Sequence, residues 1–161
     1  MANIGYAFQN YDKKTMARVV GTNLPVSRKF AREIGVFIKN KQVDSMINYL
    51  QKAAEGSAPI PYSRFNKKRA HHAPFGPAGF PRKASLQIIS LLNSLKSNAQ
   101  TKGINTSKLF VIHAAAHKGA RLFHPGGRER KNTHFEIVAQ EQEQTKNNEK
   151  RTTRNEQRGK K

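Results

Sequence analysis

Six histidines and ten carboxylates are the side chains of this chain that could do acid–base or metal chemistry, and their spacing argues against both. On an extended strand His113 and His117 would share a face but stand about 13 Å apart, too far for one ion, and no Cys or Asp joins them. The chain has no cysteine, which removes zinc knuckles, disulfides and thiol nucleophiles together. Asp12 and Asp44 are the only aspartates, and neither sits in a catalytic setting; Asp44 and Glu33 read as solvated positions on helix exteriors. The glycines of HPGGRER, His124 to Arg130, follow no phosphate-loop pattern and precede no convincing helix. These residues assign no catalytic group, no metal and no cofactor, so the chain is not read as an enzyme.

What remains is positive charge. The sequence carries 30 Lys and Arg against 10 Asp and Glu, a formal net charge of +20 in 161 residues. From Gly56 to Arg128 there is no acid at all. Dense phosphate is what neutralises so much like charge, and nucleic acid is therefore the expected partner. Two segments concentrate it. RFNKKRAHH, Arg64 to His72, sets Arg64, Lys67, Lys68 and Arg69 and two imidazoles beside Phe65, a mixture that grips phosphates and stacks on exposed bases. HAAAHKGARLFHPGGRERKNTH, His113 to His134, holds Lys118, Arg121, Arg128 and Arg130 among small residues and is far longer than a hairpin turn requires. Two extended limbs of that length would reach roughly 35 Å, and such an arm cannot bury enough apolar surface to hold its own shape.

The elements that must position these groups follow from periodicity. Residues 1–14, with isolated Tyr6, Phe8 and Tyr11, read as an extended arm, and Met16 to Val20 as a short strand. Ser27 is placed to cap a helix over 28–39, in which Phe30, Ile34, Phe37 and Ile38 form the apolar stripe and Arg28, Lys29 and Arg32 face another side, near Arg18 of the preceding strand in sequence. Val43, Met46, Ile47, Leu50 and Ala54 mark a second helix stopped by Gly56, expected to pair with the first as a helical hairpin. Proline-rich 57–81 reads as an irregular basic loop. A third, central helix runs from Arg82, with Lys83 beside it, to Thr101 and ends at Gly103. Leu109 to Ala116 and Phe135 to Ala139 alternate as strands. Beyond Gln140 the chain has no aromatic or large aliphatic residue and reads as a disordered, basic tail over 141–161. No run of apolar residues is long enough for a membrane span, and no secretory signal is present, so a soluble, intracellular protein is expected.

Several of these motifs, in order, resemble the universal large-subunit ribosomal protein L-twenty-two family, called L-seventeen in eukaryotic nomenclature, over nearly all of 6–140. GTNLPVSRKFAREI, Gly21 to Ile34, resembles its strand, turn and first helix, and NAQTKG, Asn98 to Gly103, the end of its long third helix. IPYSRFN, Ile60 to Asn66, and GFPRKAS, Gly79 to Ser85, resemble the loop of the archaeal and eukaryotic branch. The resemblance implies an α+β fold, three helices packed on a three-stranded antiparallel sheet, with a long protruding β-hairpin over 113–134 and a single rRNA-binding domain over 15–140. It implies a structural protein whose partners are large-subunit rRNA, neighbouring ribosomal proteins and the nascent polypeptide, with no homo-oligomer. The hairpin tip, Arg121, Leu122, Phe123, His124, Pro125, Gly126, Gly127 and Arg128, would line the peptide exit tunnel. The implied location is the cytoplasmic large subunit, nucleolar during assembly if the source is eukaryotic. Charge alone would equally permit a free nucleic-acid-binding regulator or chromatin-type protein.

Overall fold

The computed structural model describes residues 5–142. The tail expected over 141–161 falls, apart from its first two residues, outside them. In chain order the elements are β1 (Met16–Leu24), α1 (Arg28–Ile38), α2 (Val43–Glu55), β2 (Ile60–Pro61), β3 (His71–His72), β4 (Gly76–Gly79), α3 (Arg82–Thr101), a 3-10 turn (Thr106–Lys108), β5 (Leu109–Lys118), β6 (Leu122–His124), β7 (Arg128–Arg130) and β8 (Thr133–Glu141). This is the expected α+β class. The main sheet runs β1-β8-β5, antiparallel throughout, with β8 at its centre.

Alternation on the strands sends one set of side chains into the core. Ala17 on β1, Phe135, Ile137 and Ala139 on β8, and Leu109 and Val111 on β5 are buried together with the helix stripes. Ile34 and Ile38 of α1, Val43 and Leu50 of α2, and Ile88, Leu92 and Leu95 of α3 are fully enclosed. Each large apolar side chain so buried contributes about 1.5–3 kcal/mol. Gly56, at φ 92°, closes α2 in the left-handed conformation that a side chain resists, and its N–H returns to Lys52 and Ala53.

Four expectations change. The strands are longer than periodicity indicated, because pairing with β8 carries β1 on to Leu24 and β5 on to Lys118. His113 to Lys118, with Thr133 and His134, therefore belong to the main sheet, and only 119–132 extends beyond it; two limbs of seven residues reach about 23 Å at full extension. The two helices form no paired hairpin: α1 packs chiefly on β5 and α2 on α3, and they meet through Phe37 and Tyr49, whose rings lie 4.8 Å apart. The proline-rich segment is not wholly irregular, since β2, β4 and β3 form a small sheet of their own. Lastly, Glu33 is not a solvated exterior position: it is 1% exposed, for reasons given below.

One irregularity decides what the main sheet displays. On β5, Val111 pairs with Ala139 but His113 pairs with Val138, so two steps of β5 oppose one of β8. This bulge reverses the alternation. Leu109 and Val111 face the core before it, and Ala114 and Ala116 pack against the core after it, which puts His113 and His117 on the opposite face.

Candidate nucleic-acid interface

The basic segment 57–81 is held against the body of the protein from below. Glu33, projecting from α1, accepts the Ser63 backbone N–H at 2.6 Å and the Ser63 hydroxyl at 2.9 Å through Oε2, while Oε1 accepts from Arg32 at 2.8 Å. A buried carboxylate needs this many donors. Tyr49 donates its hydroxyl to the Pro59 carbonyl at 2.7 Å. Phe30 and Tyr62 meet edge to face, 5.9 Å between centroids, and the Arg69 guanidinium lies against both, 4.8 and 4.7 Å from the two centroids. Burial pushes the Tyr62 phenol up, with Arg69 opposing the rise and Glu33 adding to it. Above Phe65 stand Lys29 at 5.3 Å and Arg32 at 5.9 Å, so α1 and the segment share one cationic, aromatic surface. Arg64, Lys67 and Lys68 are exposed on it.

A second cluster forms where the chain leaves the main sheet. The N–H of Gly119 donates to the Asn132 carbonyl at 3.0 Å, and a Cβ at 119 would come within 3.0 Å of the Asn132 backbone. A side chain there would force the two limbs slightly apart. Beyond this pinch, among the described residues, β6 and β7 pair with each other alone, through Leu122–Arg130, Phe123–Glu129 and His124–Arg128, and 121–130 is exposed throughout. Arg121 reaches both carboxylate oxygens of Glu129, at 3.0 and 3.2 Å. Arg28, Lys29, Lys118, Arg121 and Lys131 surround a cleft at this root.

The outer face of the main sheet holds a third group. Arg18 is stacked between Tyr6 at 4.3 Å and Tyr11 at 4.4 Å. Burial raises the Tyr6 phenol against the pull of Arg18. Lys102 also reaches the Tyr11 hydroxyl and donates to the Met16 carbonyl at 3.0 Å. Beside them, Glu136 is 3% exposed on its side chain; its Oε1 lies 2.7 Å from His113 Nε2 and 3.7 Å from His117 Nε2, and its Oε2 accepts the Ala7 N–H at 3.0 Å. The two imidazoles thus converge on one carboxylate instead of standing apart along the strand. Among the described residues no three His, Cys, Asp or Glu side chains are grouped so as to hold a metal ion.

The cations named from sequence are therefore gathered into separate patches. Arg28, Lys29, Lys118 and Arg121 meet at the root cleft, and Arg32, Arg64, Lys67, Lys68 and Arg69 lie on the proline-rich segment and the adjoining face of α1. Arg18 sits on the outer sheet face, apart from the other cations named from sequence, Arg128 and Arg130 are exposed on β7, and the Arg82 guanidinium lies against Gly56 at the end of α2. Lys83 is exposed at the start of α3. Sequence reasoning missed Lys131, Glu33 and Glu136. Lys131 carried a signal, its place in the RERK run; the two glutamates carried none, because Glu33 holds Ser63 across 30 residues of chain and Glu136 meets His113 across 23.

The aromatic stacking leaves the in-plane N–H groups of Arg18 and Arg69 available to acceptors. No helix among the described residues is long and apolar enough to cross a membrane. Residues 19–138 match the family model for ribosomal protein L22p/L17e. The chain is 35% identical over 151 residues to the large ribosomal subunit protein uL22 of Cenarchaeum symbiosum, covering 88% of this chain and 99% of that protein. It is 34% identical over 151 residues to uL22 of Nitrosopumilus maritimus, with the same coverage, and 38% identical over 125 residues to uL22 of Methanocaldococcus jannaschii, covering 76% and 80%. A model match across most of the chain, joined to relatives of this identity and coverage, makes the chain a member of the ribosomal protein L22p/L17e family.

Proposed function

We propose that this protein is a structural constituent of the large ribosomal subunit that binds and organises large-subunit rRNA through its cationic patches. Membership of the family carries a structural role, not a catalytic one. The observation that supports rRNA binding best is the surface shared by α1 and 57–81, where Arg64, Lys67 and Lys68 are exposed beside an Arg69 already held against two rings. Guanidinium and aromatic planes held ready in this way meet phosphate and base without first being ordered. Arg18, Arg28, Lys29, Arg32, Arg82, Lys83, Lys118, Arg121, Arg128 and Arg130 complete the rRNA-facing set. Neighbouring ribosomal proteins are further partners.

The tip 121–128 is assigned to the wall of the peptide exit tunnel. Its support is the exposure of every residue there, Phe123 at 74% included, on a two-stranded extension that contributes nothing to the core. Small and basic residues at such a tip would set the width and the local potential met by a nascent polypeptide.

The test is assembly. Replacing Arg64, Lys67 and Lys68 by Ala should lower affinity for large-subunit rRNA, flatten its salt dependence by about one unit of slope for each phosphate no longer neutralised, and impair incorporation into subunits. Unchanged affinity and normal incorporation would remove this segment from the interface.

A further inference from the structure

The N-terminal arm crosses the outer face of the main sheet and is fastened there at few points. Between Gly5 and Phe8, the one hydrogen bond to the body among the described residues runs from the Ala7 N–H to Glu136 Oε2, at 3.0 Å and across 129 residues of chain. Tyr6 and Phe8, on either side of Ala7, are half-buried. The Phe8 ring lies 5.3 Å from that of His113, which itself meets Glu136 Oε1 at 2.7 Å, and the Tyr6 ring lies 4.3 Å from the Arg18 guanidinium. A cavity of about 360 Å³, with Tyr6, Ala7, His117, His134 and Glu136 among its walls, lies beneath this stretch. Discrete contacts, not continuous packing, therefore carry the attachment. The far end of the arm is tied separately, since Tyr11 donates its hydroxyl to the Met16 carbonyl at 3.0 Å and Asp12 accepts from the Lys14 N–H and the Thr15 hydroxyl. Glu136 needs the arm in return, because a carboxylate left 3% exposed is penalised when one of its donors is withdrawn.

We infer that Glu136 is a positioning residue: it latches the N-terminal arm through the Ala7 N–H, and the latched arm fixes the Tyr6 ring against Arg18, so that the guanidinium is offered to RNA in one orientation. The last step rests on the rRNA-binding reading; the latch itself does not. With the latch open, residues 5–8 leave the sheet while Tyr11, tied at its own end, stays 4.4 Å from Arg18. Arg18 then keeps one aromatic partner of two. A guanidinium loosened in this way must be ordered again when it binds, and the lost entropy is subtracted from affinity. Glu136 acts only through Ala7 and Tyr6, and its own carboxylate stays buried beneath the arm.

The experiment uses the full chain labelled with nitrogen-15 and three variants, Glu136→Ala, Glu136→Gln and Ala7→Pro, the last of which removes the donor and leaves Glu136 in place. The readouts are the Arg18 Nε–H resonance, which senses both aromatic faces, the exchange rate of the Ala7 amide, and affinity for large-subunit rRNA. In Glu136→Ala and Ala7→Pro alike, the Arg18 resonance should lose the Tyr6 contribution and keep that of Tyr11, and rRNA affinity should fall severalfold. Exchange at Ala7 should accelerate about tenfold in Glu136→Ala. Glu136→Gln still offers an oxygen to the Ala7 N–H, and His113 can meet the new amide by changing tautomer, so this variant should stay near the parent. Ala7 is exposed and outside the core, so Ala7→Pro should keep the parent's thermal transition and serves even where Glu136→Ala does not fold. An Arg18 resonance unmoved in Ala7→Pro would overturn the latch, as would a Glu136→Gln variant as loose as Glu136→Ala. Release of Arg18 with undiminished rRNA affinity would overturn the positioning role and leave rRNA binding standing. A parent protein that binds no large-subunit rRNA would overturn the function and the positioning role together, while the Arg18 and Ala7 signals still decide the latch.

Discussion

Glu33 Oε2 accepts the backbone N–H of Ser63 at 2.6 Å, so a buried carboxylate on the first helix is the peg on which the basic segment hangs. Replacing Glu33 by Ala leaves the Ser63 N–H and hydroxyl without their acceptor and frees Arg32. The expected cost is about 1–3 kcal/mol of stability, read from denaturant unfolding. Amide exchange should accelerate across 57–81 more than across α3. Equal acceleration in both would show that Glu33 supports the core at large.

Arg69, packed against Phe30 and Tyr62, should resist even a conservative change. Lysine keeps the charge but not the broad planar group that touches both rings. Arg69→Lys should destabilise by about 0.5–1 kcal/mol and weaken rRNA binding further than loss of charge predicts. A variant indistinguishable from the parent in both measurements would mean that the stacking contributes nothing.

Tyr62, Tyr49 and Tyr6 all have phenols raised by burial, with Arg69 and Arg18 lowering the first and last. A folded pKa above the unfolded one means the native state keeps its proton longer. That stabilisation is complete below the ordinary tyrosine value of about 10 and is lost as pH rises through the folded value. The unfolding midpoint should fall with increasing pH in that window, and Tyr62→Phe should make the fall shallower. An unaltered pH profile in Tyr62→Phe would exclude Tyr62 as a contributor.

Deleting 121–130 should leave the domain folded. Those residues are exposed, among the described residues β6 and β7 pair only with each other, and the Gly119–Asn132 bond that closes the root lies outside the deletion. Far-ultraviolet circular dichroism should retain the helical signal and the melting transition should stay cooperative. A drop in helicity would show that the hairpin supports the core.

Much of this fold is legible in the amino-acid sequence where the determinant is local. The stripe Val43–Met46–Ile47–Leu50 and the stop at Gly56 follow from period and from backbone preference, and the structure has them. Strand ends are not local, because Leu24 and Lys118 are extended by partners on β8. Nor is the bulge between Val111 and His113, which alone determines that His113 and His117 meet Glu136 on the outer face. Among the cations, charge density marked the right segments, but aromatic partners decide which are held and which are free. Arg69 and Lys67 read alike in sequence; one packs against two aromatic rings and the other is exposed.

The central claim is that these cationic patches exist to hold the protein within the large subunit. Sedimentation of a cell extract through a sucrose gradient at moderate salt tests it most directly, with the protein followed across the fractions. Nearly all copies should travel with large subunits and whole ribosomes, and should be released only as salt is raised. A major pool that stays at the top of the gradient, or that follows other nucleic acid in place of the large subunit, would contradict the account.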